Sequence, residues 1–187
     1  MGFTGRAWLR LTAWACLLAF LRAVGESESP LTLEYRVKGG YLYNFAKFVE
    51  WPAGSLPLPD SPFVIGVLDG GEALPILKAL LEGKQVEGHP VQVRPVMPAR
   101  AEKGLQILFV TRAAGSSPKQ AQALAGPTGT LVVGETDHFA EDGGMVGFTR
   151  EEDRIRVCLN LERAAAAGLK VSSKLASVGR LVRTREL

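Results

Sequence analysis

The chain reads as an α/β protein: a single-domain three-layer sandwich with a mixed, mostly parallel sheet and an antiparallel C-terminal hairpin. Three observations predict it. Short apolar runs at 63–68, 107–110 and 131–133 have the length and composition of buried strands. Helical patterns separate those runs through the first two thirds of the chain. Near the end, Ile155, Val157 and Leu159 alternate with Arg154, Arg156 and Cys158 behind the polar tip Glu151-Glu152-Asp153, the period-2 pattern of a half-buried hairpin strand. With 187 residues, 47% hydrophobic and 22% charged, the composition suits one globular core, and no repeat or linker divides it.

Taken in order, residues 1–25 read as a signal peptide. Arg6 and Arg10 form a basic start, residues 11–21 an apolar run, and Ala23-Val24-Gly25 a small-residue cleavage site. The run falls short of the roughly 20 residues that span a bilayer. Trp14 stands where a lipidation signal at Cys16 needs a small residue, so lipidation is not expected. Residues 26–187 then form the mature domain, starting near Glu26. Leu33, Val37, Tyr41, Phe45 and Phe48 recur at helical spacing and predict one long helix, weakened by Gly39-Gly40 and ended by Trp51-Pro52. A Pro-rich loop follows, to Pro62. Strand 63–68 leads through Asp69-Gly70-Gly71 into a helix over 72–81. Residues 91–96 alternate as a more exposed strand, which Pro95 pushes towards a sheet edge. Strand 107–110 is central, 118–124 is helical, and 131–133 is a strand. Gly143-Gly144 suits a tight turn into the hairpin. Asn160 caps a helix from about Leu161, Gly168 ends it, and a last amphipathic helix carries Leu175, Val178 and Val182.

Charge and cysteine count narrow the function. The whole chain has formal charge +3 and a pI of about 9.0. Removing Arg6, Arg10 and Arg22 with the signal leaves 19 Lys and Arg against 19 Asp and Glu. The mature domain has no net basic charge to attract a phosphate backbone, so no nucleic acid is expected. Cys158 is its one cysteine, which excludes an internal disulfide and leaves a buried free thiol or an intermolecular bridge.

No catalytic constellation emerges. Gly66 to Gly71 lies between strand and helix but has neither the GxGxxG spacing nor the Lys-Ser/Thr of a phosphate loop, and reads as a plain turn. Glu135 to Asp142, with Asp137 and His138, is the densest set of possible ligands. It lacks EF-hand or His-x-x-x-His spacing, so capping and solubility explain it and no metal is assigned. His89 and His138 are the two possible imidazole bases, and neither sits in a recognisable setting. Tyr41, Phe45 and Phe48 read as core, whereas Tyr43 and Trp51 lie off that stripe and are open to a ligand cleft or partner patch. No cofactor and no enzyme activity are expected.

Several of these segments together resemble a known family. They are the Gly143-Gly144-Met145 turn, the strand ending at Asn160, the Ala-rich helix with Gly168-Leu169, and Ser172-Ser173-Lys174-Leu175. The aromatic helix from Tyr41 to Pro52, Ile107-Leu108-Phe109-Val110 and Val133-Gly134-Glu135 complete the pattern. Over about residues 32–183 it resembles the YfiR-like periplasmic proteins.

That resemblance implies a periplasmic regulator that inhibits a membrane-bound diguanylate cyclase through the cyclase's periplasmic sensor domain, lowering cyclic-di-GMP signalling and biofilm formation. It also implies release by redox stress or by capture on an outer-membrane lipoprotein, and a homodimer is one possible assembly. Family partner contacts carry over to Val146, Cys158 and Ala164. Relatives commonly have larger apolar residues at the first and third positions and Glu at the second. Lys170 and Ser172 match positions where relatives hold a small carboxylate-bearing effector, with Lys170 supplying the charge. Some relatives carry disulfides, which this mature chain does not have. The rival reading is a periplasmic small-ligand binding module without a cyclase partner, for which a cleft at the strand C-termini is the natural place.

Overall fold

The computed structural model describes residues 28–56, 58, 60–98, 101–152 and 154–185. The expected signal peptide and its cleavage site lie outside the described residues. Residues Leu31–Leu187 make one compact unit. The elements are α1 (Pro30–Phe48), β1 (Val49–Glu50), β2 (Phe63–Leu68), α2 (Ala73–Leu81), β3 (Gln85–Val86), β4 (His89–Val96) and β5 (Ile107–Val110). After these come α3 (Pro118–Ala125), β6 (Leu131–Gly134), β7 (Val146–Glu151), β8 (Arg154–Leu159), α4 (Leu161–Ala166), β9 (Lys170–Val171), α5 (Ser173–Ala176) and β10 (Arg180–Leu181).

Among the described residues, eight strands form one sheet in the order β10-β8-β7-β6-β5-β2-β4-β3, and β1 pairs separately with β9. The run from β4 through β2, β5 and β6 to β7 is parallel. β8 returns antiparallel to β7, so the sheet is mixed as expected. Every residue of β2, β5 and β6 is buried, which matches their unbroken apolar sequence. From β2 the chain crosses by α2 to β4 on one side. From β5 it crosses by α3 to β6 on the other. Right-handed crossovers in opposite directions place their helices on opposite faces, which makes the three layers.

α1 joins the layer of α2, and Gly39 is the reason it can. A Cβ at Gly39 would lie 2.5 Å from Leu80 Cδ2 and 3.0 Å from Leu77 Cδ2, whereas one at Gly40 would meet nothing. Gly39 therefore permits close helix packing, and the cost of a helical glycine is met there. The inner stripe of α1 is also rotated from the expected one. Tyr35, Lys38, Gly39, Leu42, Phe45 and Ala46 are buried, while Leu33 and Val37 are 51% and 48% exposed. A charged residue holds the inner position, and apolar periodicity alone pointed to the wrong face at this end. Further along, the aromatic reading holds. Phe45 stacks 6.0 Å from Phe148, and Phe148 meets Phe109 edge-on at 6.1 Å, joining α1 to β7 and β5. Such pairs contribute about 0.5–1.5 kcal/mol beyond their buried area.

The C-terminal segment departs from expectation. α5 stops at Ala176, with Leu175 buried but Val178 71% exposed. Gly179 lies tight on Leu159, where a Cβ would be 2.6 Å from Cδ1. Arg180 and Leu181 then pair in parallel with Cys158 and Leu159. Sheet pairing satisfies the backbone here better than a short exposed helix would. The two-residue strands β1, β3, β9 and β10 carry no periodic signal, and none was expected from sequence. Since β3 covers only His89 and Pro90, most of β4 is edge, and Pro95 sits in that uncovered part.

Candidate functional site

The three positions expected at a partner contact are not brought together as one exposed patch. Val146 pairs with Leu159 and Gly147 with Cys158 across the β7–β8 ladder. Successive residues point to opposite faces, so Val146 shares the α1 face with Phe148 while Cys158 lies on the other side. Exposure is 2% for Val146, 0% for Cys158 and 2% for Ala164. These side chains are core. Cys158 is a buried free thiol, and its expected pairing with Leu159 in alternate exposure fails because both faces of the strand are covered at that end. Its sulfur lies 3.3 Å from Arg180 Nη2, a basic neighbour that sequence could not supply because it comes from β10. That contact, and after it Glu141 and Glu151, raises the pKa of Arg180.

What the Cys158 face exposes is a polar strip. Arg180 pairs with Glu141 at 3.1 Å and with Glu151 at 3.5 Å, and Arg156 pairs with Glu151 at 3.8 Å. Arg156, Arg180 and Glu151 side chains are about half exposed.

Behind this strip the Gly-rich turn is shaped by Phe139. A Cβ at Gly134 would sit 2.3 Å from that ring, and one at Gly144 would sit 2.4 Å from it on the other edge. Gly143 has φ 101°, so only its role is the conformational one expected. Asn160, fully buried, ties three segments. Its Oδ1 accepts from Arg163 N at 3.1 Å, capping α4 as expected, and its Nδ2 donates to Ala140 O and Thr184 Oγ1 at 3.1 and 3.0 Å.

Lys170 and Ser172 occupy another corner, where β9 lies against β1. Lys170 Nζ is 3.8 Å from Glu50 Oε2 with both side chains mostly exposed, a pair worth no more than about 1 kcal/mol. Ser172 caps α5, its Oγ accepting from Leu175 N at 3.3 Å, and Lys174 lies over the Phe48 ring. Tyr43 and Trp51, left open by sequence, are accounted for by protein contacts. Tyr43 donates to Gln85 O at 2.9 Å, and Trp51 packs edge-on against Phe63 at 5.3 Å.

One polar centre was not anticipated. Glu135, immediately after β6, is 2% exposed and pairs with Lys38 of α1, itself 3% exposed. Glu135 Oε1 also accepts from Tyr35 Oη at 3.1 Å and from Arg112 N at 2.7 Å, and Lys38 has Glu34 as a second partner. Burial, and after it the Glu135 charge, pushes the Tyr35 phenol well above its usual range. Glu135 was grouped with capping and solubilising residues, and the structure corrects that. Its strand-end position was the available hint, but the partner lies 97 residues away. Next to it Thr111 Oγ1 donates towards Leu68 O and Asp69 O, closing the point where β2 and β5 diverge. All of these groups are engaged, so the arrangement holds α1 in place and offers no free ligand set. His89, held 2.8 Å from Ser61 O, and His138, after β6, lie at opposite ends of the parallel strands.

A family model described as YfiR/HmsC-like matches residues 35–180, from the tyrosine that contacts Glu135 to the arginine that contacts Cys158. The chain belongs to the YfiR/HmsC-like family. No curated protein matches it. YfiR-like proteins are periplasmic regulators that act with a membrane partner. Among the described residues no helix is long and apolar enough to cross a membrane.

Proposed function

We propose that this YfiR/HmsC-like protein restrains a membrane-bound diguanylate cyclase by binding the cyclase's periplasmic sensor domain, which lowers cyclic-di-GMP and biofilm formation. The family match over residues 35–180 supports the reading. The physical mechanism is a population shift. Binding biases the sensor only to the extent that its inactive conformation is bound more tightly, and moving it from 1:99 to 99:1 takes a preference of about 10⁴-fold. On this reading a signal peptide over residues 1–25 delivers the chain to the periplasm, and capture by an outer-membrane lipoprotein is one route to release.

The contact is proposed on the β7–β8–α4 region, with Val146, Cys158 and Ala164 supporting the backbone from inside. Arg156, Arg180 and Glu151 present the reachable surface. Lys170 remains the proposed anchor for a carboxylate-bearing effector, which has to displace Glu50, and the Ser172 hydroxyl has to leave its cap to join it. The test is co-purification of a membrane cyclase with the tagged protein, combined with cyclic-di-GMP measurement in cells lacking it. Raised cyclic-di-GMP and a recovered cyclase support the reading. Unchanged cyclic-di-GMP sinks it.

A further inference from the structure

On the side of the sheet where α3 lies, one face of that helix and the following loop face the turn before β7, the start of α4 and the C-terminal tail across a cleft of about 670 Å³. This lies within the range of small-ligand sites. Three ionic side chains line it: Lys119 from α3, Asp142 from the turn and Arg163 from α4. Elsewhere on the surface, Arg and Glu side chains pair with one another repeatedly. Here the opposite signs share a cleft, yet Lys119 and Asp142 enter none of the ion pairs of the described residues. Arg163 uses only its Nε, which donates to Gly143 O at 3.0 Å. That bond orients the guanidinium group and leaves its terminal nitrogens available for a two-pronged contact with a carboxylate. Ala123, Gly126 and Pro127 supply an apolar wall.

The turn, α4 and the tail are joined by Asn160, which is buried and bonded at once to Ala140 O, to Arg163 N and to Thr184. Asp142 and Arg163 are therefore carried on segments tied to one another, which lowers the ordering cost of binding, while Lys119 faces them from α3.

We infer that this cleft binds the two charged ends of a short peptide, with its carboxylate at Arg163 and Lys119 and its ammonium at Asp142. A simple anion would leave Asp142 uncompensated beside it, and the cleft is larger than one carboxylate needs. The site is separate from the Lys170 corner and borders the proposed cyclase contact through α4 and the turn before β7. Its test reads peptide binding alone, so it stands whether or not a cyclase is the partner.

Tri-alanine titrated calorimetrically into the full mature protein is the test, with N-acetyl-tri-alanine and tri-alanine amide as the blocked forms. Loss of a charge-assisted bond at either end is expected to weaken binding by about tenfold or more. Lys119→Gln and Asp142→Asn, which break no ion pair, are expected to do the same, each for its own end of the peptide. Arg163→Lys should weaken carboxylate binding while keeping the positive charge. Unfolding midpoints of the variants verify the fold. Absence of tri-alanine binding at millimolar concentration overturns the inference, as does equal binding of all three peptides.

Discussion

Lys38 and Glu135, 97 residues apart in sequence, form an ion pair in which each side chain is no more than 4% exposed. Removing one member of a buried pair strands the other, which typically costs about 3–5 kcal/mol. Lys38→Met is expected to lower stability by about that much in urea unfolding. Glu135→Gln should cost less, because Glu34 still neutralises Lys38 and an acceptor remains for Arg112 N. Equal, small losses would show that the pair is not what fixes α1.

The same centre makes stability fall in alkali. The folded pKa of Tyr35 is raised by burial first and by Glu135 second, so its stabilising effect is complete below the unfolded value of about 10 and is lost as pH rises beyond it. The slope is at most about 1.4 kcal/mol per pH unit for one proton. Tyr35→Phe is expected to flatten the decline between pH 10 and 11 relative to the wild type, while lowering stability at neutral pH through loss of the Glu135 hydrogen bond. Parallel stability curves for the two proteins would refute the assignment.

Phe139 should not tolerate added atoms beside it. Gly134→Ala and Gly144→Ala each force a methyl against the ring, and overpacking of this kind costs about 1–3 kcal/mol. Pairing Gly134→Ala with Phe139→Leu should recover part of the loss, a coupling readable in a double-mutant cycle, whereas Gly144→Ala should recover less because its methyl also meets Phe139 O at 2.6 Å. Additive losses would mean that the ring is not the obstruction.

Ala164→Glu and Arg156→Glu separate core from surface. Ala164 is buried, so its glutamate is expected to lower the unfolding midpoint sharply by placing an unpaired charge inside. Arg156 has only an exposed pair at 3.8 Å to lose, worth less than about 1 kcal/mol. Its reversal should leave stability near normal while derepressing the cyclase. Repression unaffected by Arg156→Glu and by Arg180→Glu would reject this strip as the contact.

Cys158 predicts indifference to reductant. It is fully buried and free, so unfolding midpoints with and without dithiothreitol should agree, and a thiol reagent should react only on unfolding. A reductant-sensitive midpoint would reveal a bridge between protomers.

The layers of this fold were legible because β2, β5 and β6 are apolar without interruption and the hairpin alternates around a polar tip. Asn160 and Gly168 marked the ends of α4 for local reasons that need no tertiary context. The site was much less legible. Whether Cys158 faces solvent depends on β10, whose two residues have no pattern of their own, and Leu33 is apolar yet exposed where Lys38 turns inward to the carboxylate that follows β6. Gly39 read as a weak point of a helix and Gly144 as a turn residue, whereas Gly39 is set by Leu77 and Leu80 and Gly144 by Phe139. Family resemblance carried over three side chains, Val146, Cys158 and Ala164, that packing places inside.

The separation between Lys38 and Glu135 also bears on the order of assembly. The first helix emerges from synthesis early, but its inner face is covered by strands made from residues 107–148. Docking it closes a loop of nearly a hundred residues, so it waits on distant partners and folds slowly relative to local structure. For a chain that, on the proposed reading, must pass through a membrane before folding, such a late-closing helix delays premature compaction and keeps the polypeptide threadable.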